Sequence, residues 1–215
     1  MTGSRGCLAV IDMQRVFGEP GSPWLAPRFG EIVRPVRDLV AAFGPDVVFT
    51  RFVAPATPAG AWQRYYEAWP FARQPPDARI YELADEFAAA AGPTVDAVTF
   101  SKWGPELAAR VGEPGRLVLA GVTTDCCVLS TALAAADAGV PVRVVADACA
   151  GVTDESHRQA LDILRLYAPL VEVVQVADII GAEAGPAGGH PAPGSPVPGP
   201  AGPGSSAGPP DRPAG

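Results

Sequence analysis

Short, nearly unbroken apolar runs constrain this chain most: LAVI, VVF, LVLAGV, VRVVA and VEVV recur along it, separated by segments of helical spacing. A strand that is apolar at consecutive rather than alternate positions has both faces covered, which is the setting of a parallel sheet. Strand-like runs fall at Cys7–Asp12, Val47–Arg51, Val95–Phe100, Leu117–Ala120, Val142–Ala146 and Val171–Val174. Helical patterns lie between them at Glu31–Phe43, Pro105–Val111, Cys126–Ala138 and Asp154–Tyr167. Strand–helix alternation with short turns makes βαβ units with right-handed crossovers. The expected fold is therefore α/β, a three-layer αβα sandwich around a mainly parallel, Rossmann-like sheet of about six strands. Pro35 predicts a kink or a late start in the first helix. The connection from Phe52 to Arg79 is long, aperiodic and rich in aromatics and prolines, the character of a lid or binding loop.

The 215 residues suffice for one core-forming domain, placed at residues 1–181. Beyond it, residues 182–215 are dominated by Pro, Gly, Ala and Ser, with Val197 as the one larger aliphatic side chain. Such a stretch has too little apolar surface to offset its ordering entropy and is expected to be disordered. Sixteen basic against twenty-three acidic side chains leave a net charge of −7, with no basic footprint for nucleic acid or anionic lipid. No signal-like segment precedes the first strand and no apolar run reaches membrane-spanning length. The four cysteines form no CxxC pair and are too few for a disulfide framework, so a reducing cytoplasm is the expected setting.

In open parallel sheets, ligands bind at the carboxyl ends of the strands. Three reactive side chains fall there. Asp12 ends the first strand, Lys102 follows VDAVTF, and the Cys126–Cys127 pair follows LVLAGV. A carboxylate, an ammonium and a thiol at one sheet edge can together deprotonate and activate a nucleophile. The most specific segment is GVTTDCCVLSTALAAADAG, residues 121–139, where a strand ends, turns and opens a helix. A thiol at a helix N-terminus lies in the positive end of the macrodipole, which favours thiolate, and the free N–H groups of the first turn can hold an oxyanion.

These segments resemble the isochorismatase-like cysteine hydrolases, a family that includes nicotinamidases and N-carbamoylsarcosine amidohydrolase. The resemblance rests on AVIDMQ, on SKWG around Lys102, on GVTTDCCVLSTALAAADAG and on VVADACAGVTDESHRQAL, and it spans about residues 7–180. It implies Cys127 as nucleophile, Cys126 as the variable position turned into packing, Asp12 as proton acceptor and Lys102 as the cation favouring thiolate. It further implies a cis peptide between Val122 and Thr123, with the Thr123 and Cys127 N–H groups forming the oxyanion hole. The implied activity is hydrolysis of a C–N bond in a small amide, carbamoyl or ureido compound through a thioester.

The departures matter as well. Metal-dependent nicotinamidases carry an Asp and several His residues after the second strand, where this chain has TRFVAPATPAGAWQRYYEAWPF. With His157 and His190 as its only histidines, no His/carboxylate ligand set forms, and neither metal nor cofactor is expected. His157 is expected to be a structural helix residue. Trp62, Tyr65, Tyr66 and Trp69, together with Trp103 of SKWG, are the expected substrate-binding residues; the aromatic loop either closes a pocket or buries a subunit interface of a homo-oligomer. Arg51 and Arg64 are candidates for a substrate carboxylate, or surface charges. The competing reading is a non-catalytic or thiol-redox protein using the vicinal Cys126–Cys127 pair.

Overall fold

Successive side chains of the first strand, β1 (Cys7–Ile11), enter opposite layers, as strand geometry requires. Leu8 and Val10 pack into one buried cluster, and Cys7, Ala9 and Ile11 into another. This computed structural model describes residues 6–90 and 92–181, so the stretch 182–215, expected to be disordered, lies outside the described residues. The sheet continues with β2 (Val47–Phe52), β3 (Val95–Ala97), β4 (Leu117–Val122), β5 (Val142–Ala150) and β6 (Val171–Val174). All neighbouring pairs are parallel, in the order β3–β2–β1–β4–β5–β6. The chain winds outward from β1 in one direction, then returns to β4 and winds in the other. The reversal between β1 and β4 opens a crevice at the carboxyl edge.

Among the described residues, eight α-helices surround the sheet: α1 (Arg15–Gly18), α2 (Phe29–Phe43), α3 (Ala61–Ala68), α4 (Asp85–Ala88), α5 (Pro105–Val111), α6 (Leu129–Asp137), α7 (Asp154–Arg165) and α8 (Val176–Ile180). α2 buries Ile32, Val36, Leu39 and Phe43 on the Leu8/Val10 face, spaced three or four residues apart as one helical stripe. Leu107 of α5, Ala132 and Ala135 of α6, and Leu161 and Leu164 of α7 cover the other face. α7 starts where the sequence puts it because the Thr153 side chain accepts from the Ser156 N–H while the Ser156 hydroxyl accepts from the Thr153 N–H.

Four local expectations are corrected. α2 begins at Phe29 and carries Pro35 inside it, so no late start occurs. The supposedly aperiodic connection after β2 contains α3, followed by a short turn at Pro70–Ala72. β3 stops at Ala97, three residues before Phe100. The expected Cys126–Ala138 helix is a π-helical turn over Thr124–Val128 that leads into α6, and such turns recur at functional sites.

One glycine fixes the crevice. Gly121 has φ 116°, and a Cβ there would lie 2.1 Å from the Ile11 carbonyl oxygen. Only glycine lets β4 run this close to the end of β1.

Candidate active site

Strand register gathers the reactive groups. Ile11 pairs with Gly121, which sets Asp12 beside the chain leaving β4. Val10 pairs with Phe49, which brings Thr50 to the end of β1. Asp12 itself has φ 48°, a left-handed conformation that non-glycine residues rarely adopt away from functional sites. Thr50 clamps it twice: its hydroxyl donates to Asp12 Oδ1 at 2.7 Å and accepts from the Asp12 N–H at 3.2 Å. Gln14, also fully buried, donates to the carbonyls of Phe52 and Tyr81 and accepts from the Phe52 N–H, tying the ends of β1 and β2 together.

Lys102 Nζ sits 3.0 Å from Asp12 Oδ2, with both side chains fully buried. The ammonium also donates to the Thr99 carbonyl at 3.0 Å and lies 4.9 Å from the centre of the Phe52 ring. A buried ion pair is costly to desolvate, and these extra contacts offset part of that cost. Although close to Nζ, Asp12 Oδ2 receives no well-directed hydrogen bond. Thr131 closes the group from the other side. Its hydroxyl accepts from the Lys102 N–H at 2.9 Å and donates to the Cys127 carbonyl at 2.6 Å, joining the Lys102 loop to the turn that carries the thiols.

Cys127 is buried against this pair. Burial first, and then the Asp12 charge, push its thiol well above the ordinary cysteine range, while Lys102 pulls in the opposite direction. The π turn carries Cys127 into the interior, where desolvation opposes the helix-end field that favours thiolate. The Val122–Thr123 peptide is cis. All four cysteines are free thiols. Cys126 packs in part on the apolar cluster of the Cys7/Ala9/Ile11 face, as expected, and in part lines the same cavity as Cys127; its own thiol is raised by burial and by Asp125.

A cavity of about 280 Å³ lies over Thr123, Cys126 and Cys127. Of the expected aromatic residues, Tyr65 and Trp69 line it. Trp62 stands behind them, with ring centres 5.2 Å from both Tyr65 and Phe100. Tyr66 lies in the core, with its buried hydroxyl unpaired among the described residues. Trp103 packs on the apolar cluster of the opposite face. Phe17, Trp24, Leu25 and Phe100 line the cavity without having been singled out in the sequence. Burial, and then the two neighbouring thiols, push the Tyr65 hydroxyl up, so it stays protonated. Arg51 is taken by Asp96 in a two-pronged ion pair and Arg64 is exposed, so neither reaches the cavity. His157 does more than fill α7: its Nδ1 lies 2.8 Å from the Thr124 hydroxyl, linking that helix to the thiol turn.

A family model for the isochorismatase domain matches residues 6–178. The chain belongs to the isochorismatase family. Its fold is also that of solved relatives at low identity. A cysteine hydrolase from Pseudomonas syringae pv. phaseolicola 1448A is 20% identical with a TM-score of 0.71, covering 84% of this chain and 93% of its own. An N-carbamoylsarcosine amidase from Thermoplasma acidophilum is 20% identical with a TM-score of 0.62, covering 79% and 95%. A pyrazinamidase of Pyrococcus horikoshii in complex with zinc is 23% identical with a TM-score of 0.57, covering 79% and 98%. No curated protein sequence matches the chain. The residues of this family member do not fit a zinc ion: among the described residues no group of three His, Cys, Asp or Glu side chains is placed to hold a metal, and His157 is engaged with Thr124.

Proposed function

We propose that the protein is a cysteine hydrolase that cleaves the C–N bond of a small amide or carbamoyl compound through a thioester on Cys127. The observation that carries this reading is the fully buried Asp12–Lys102 pair set against the Cys127 thiol at the floor of the cavity. Because the resting thiol is protonated, nucleophilic attack needs a base, and Asp12 Oδ2 is the acceptor left without a directed hydrogen bond. Asp12 takes the thiol proton as sulfur bonds to the carbonyl carbon, and Lys102 stabilises the negative charge that passes between carboxylate and sulfur. The N–H groups of Thr123 and Cys127 hold the oxyanion. Collapse breaks the C–N bond, and Asp12 delivers its proton to the departing amine. Water, deprotonated by Asp12, then splits the thioester to a carboxylic or carbamic acid and restores the thiol. The names of the similar proteins, a cysteine hydrolase and an N-carbamoylsarcosine amidase, agree with this chemistry.

Hydroxylamine tests it. A thioester intermediate partitions between water and a better nucleophile, so hydroxylamine should divert part of the product to the hydroxamate. Ammonia release should continue undiminished. Product that remains entirely acid at saturating hydroxylamine would mean that water attacks the substrate directly, and the covalent reading would fall.

A further inference from the structure

The walls of the cavity say what can enter it. Phe17, Trp24, Phe52, Tyr65, Trp69 and Phe100 line it with aromatic rings, and Thr123, Cys126 and Cys127 stand at the base. None of the lining residues carries a charge. The nearby cations are committed elsewhere, Lys102 to Asp12 and Arg51 to Asp96. A substrate carboxylate would therefore be stripped of water with no cation to pair with.

Size sets a second limit. A dry cavity of roughly 150 Å³ holds a benzene ring. At about 280 Å³, this one holds a single ring or branched alkyl group together with the amide and a linking carbon or two. Trp24 sets that limit. It stacks on Phe17 at 6.0 Å and meets Phe52, Tyr65, Trp69 and Phe71 at 5.6, 6.0, 6.0 and 5.1 Å. Its backbone is pinned as well, because the Trp24 N–H donates to the Ser22 hydroxyl, which itself donates to the Val16 carbonyl. Trp24 follows β1, while Tyr65 and Trp69 belong to the connection after β2. The hydrocarbon box is thus assembled from two separate segments that meet at this one indole.

We propose that the substrate is a neutral primary amide of a hydrocarbon group about one ring in size, that carboxylate-bearing amides are excluded, and that Trp24 determines this specificity. The inference rests on the amide-hydrolase reading of the same site. It adds the chemical class of the acyl group: one that gains affinity by apolar burial and loses it with any buried charge.

The test uses two matched pairs of probes. 4-Methylpentanamide and succinamate have nearly the same shape and differ in an isopropyl group against a carboxylate. Phenylacetamide and 3-phenylpropanamide differ by one methylene. Binding to the full chain carrying Cys127→Ser is read from quenching of tryptophan fluorescence, since Trp24 and Trp69 line the cavity. Ammonia release by the parent protein gives kcat/KM for the same compounds. Succinamate should bind at least about 100-fold more weakly than 4-methylpentanamide. Trp24→Phe, which keeps an aromatic ring among its neighbours, should shift the kcat/KM preference from phenylacetamide towards the longer 3-phenylpropanamide. Equal or tighter binding of succinamate, or an unchanged length preference in Trp24→Phe, would overturn the proposal. The two readings fail separately. Ammonia released faster from succinamate than from its isostere leaves the amide hydrolase standing and removes the hydrocarbon class. The expected binding order without ammonia release from any amide keeps the pocket chemistry and removes the hydrolase.

Discussion

Cys127→Ala should lower amide turnover by at least about 10⁴-fold while the protein still folds, and Cys126→Ala should keep activity within a few-fold of the parent. The two thiols are neighbours in sequence and both face the cavity, yet their surroundings differ. Cys127 is buried against Asp12 and Lys102, the acceptor and the cation that an initially protonated thiol needs. Cys126 is half-buried beside Asp125, whose Oδ1 already accepts from the Val152 N–H. Among the described residues, no cation acts to steady a thiolate on Cys126. Removing one sulfur from either position leaves only a small void, costing about 1 kcal/mol, so a dead variant that still melts cooperatively reports chemistry rather than unfolding. Ammonia release and thermal unfolding followed by circular dichroism decide the matter. A dead Cys126→Ala beside an active Cys127→Ala would place the nucleophile one residue earlier.

Lys102→Met should be harmful in two separable ways. The substitution keeps most of the side chain's apolar length but leaves Asp12 as a buried carboxylate with no cation, a defect that typically costs about 3–5 kcal/mol. The denaturation midpoint should fall accordingly. Lys102 is also the charge that lowers the Cys127 thiol's pKa against burial and Asp12, so its loss should drive that pKa higher still. The sign follows directly. Iodoacetamide labelling of Cys127, already slow at neutral pH in the parent, should need more alkaline solution in the variant. Turnover should drop about 100-fold or more, because thiolate formation is coupled to the same pair. In the double variant Asp12→Asn/Lys102→Met the unpaired charge is gone, so stability should recover while activity does not. An unchanged midpoint for Lys102→Met would mean that the pair is not held as an ion pair in the folded protein.

Much of this arrangement was readable before the structure. Continuous apolar runs announce a parallel sheet, and reading the carboxyl ends of the strands singles out Asp12, Lys102 and the Cys126–Cys127 pair. The residues that hold these groups were not readable, for physical reasons. Thr50 sits inside a strand and Thr131 inside a helix, where a threonine is ordinary. Only the register that brings Thr50 to Asp12, and the helical reach from Thr131 back to the Cys127 carbonyl, give them roles. Trp24 lies in an irregular segment without periodicity, and its importance depends on rings contributed by the distant connection after β2. The depth of Cys127 was not readable because a helix-end argument concerns the local backbone, whereas burial is set by the whole fold. His157, expected to be structural, bonds the Thr124 side chain next to the reactive turn, a contact between residues 33 apart in sequence that no local pattern encodes.

Central to the account is a covalent bond between the substrate's acyl carbon and Cys127 sulfur, made by proton transfer to Asp12. It is measured by mixing the parent protein with phenylacetamide, quenching in acid during the first turnover, and sequencing the peptide that holds both vicinal cysteines by mass spectrometry. The account predicts the phenylacetyl mass on Cys127, none on Cys126, and no adduct on either residue when Asp12→Asn is treated identically. Ammonia release with no acyl mass at any time in the first turnover, an adduct on Cys126, or undiminished acylation of Cys127 in Asp12→Asn would contradict it.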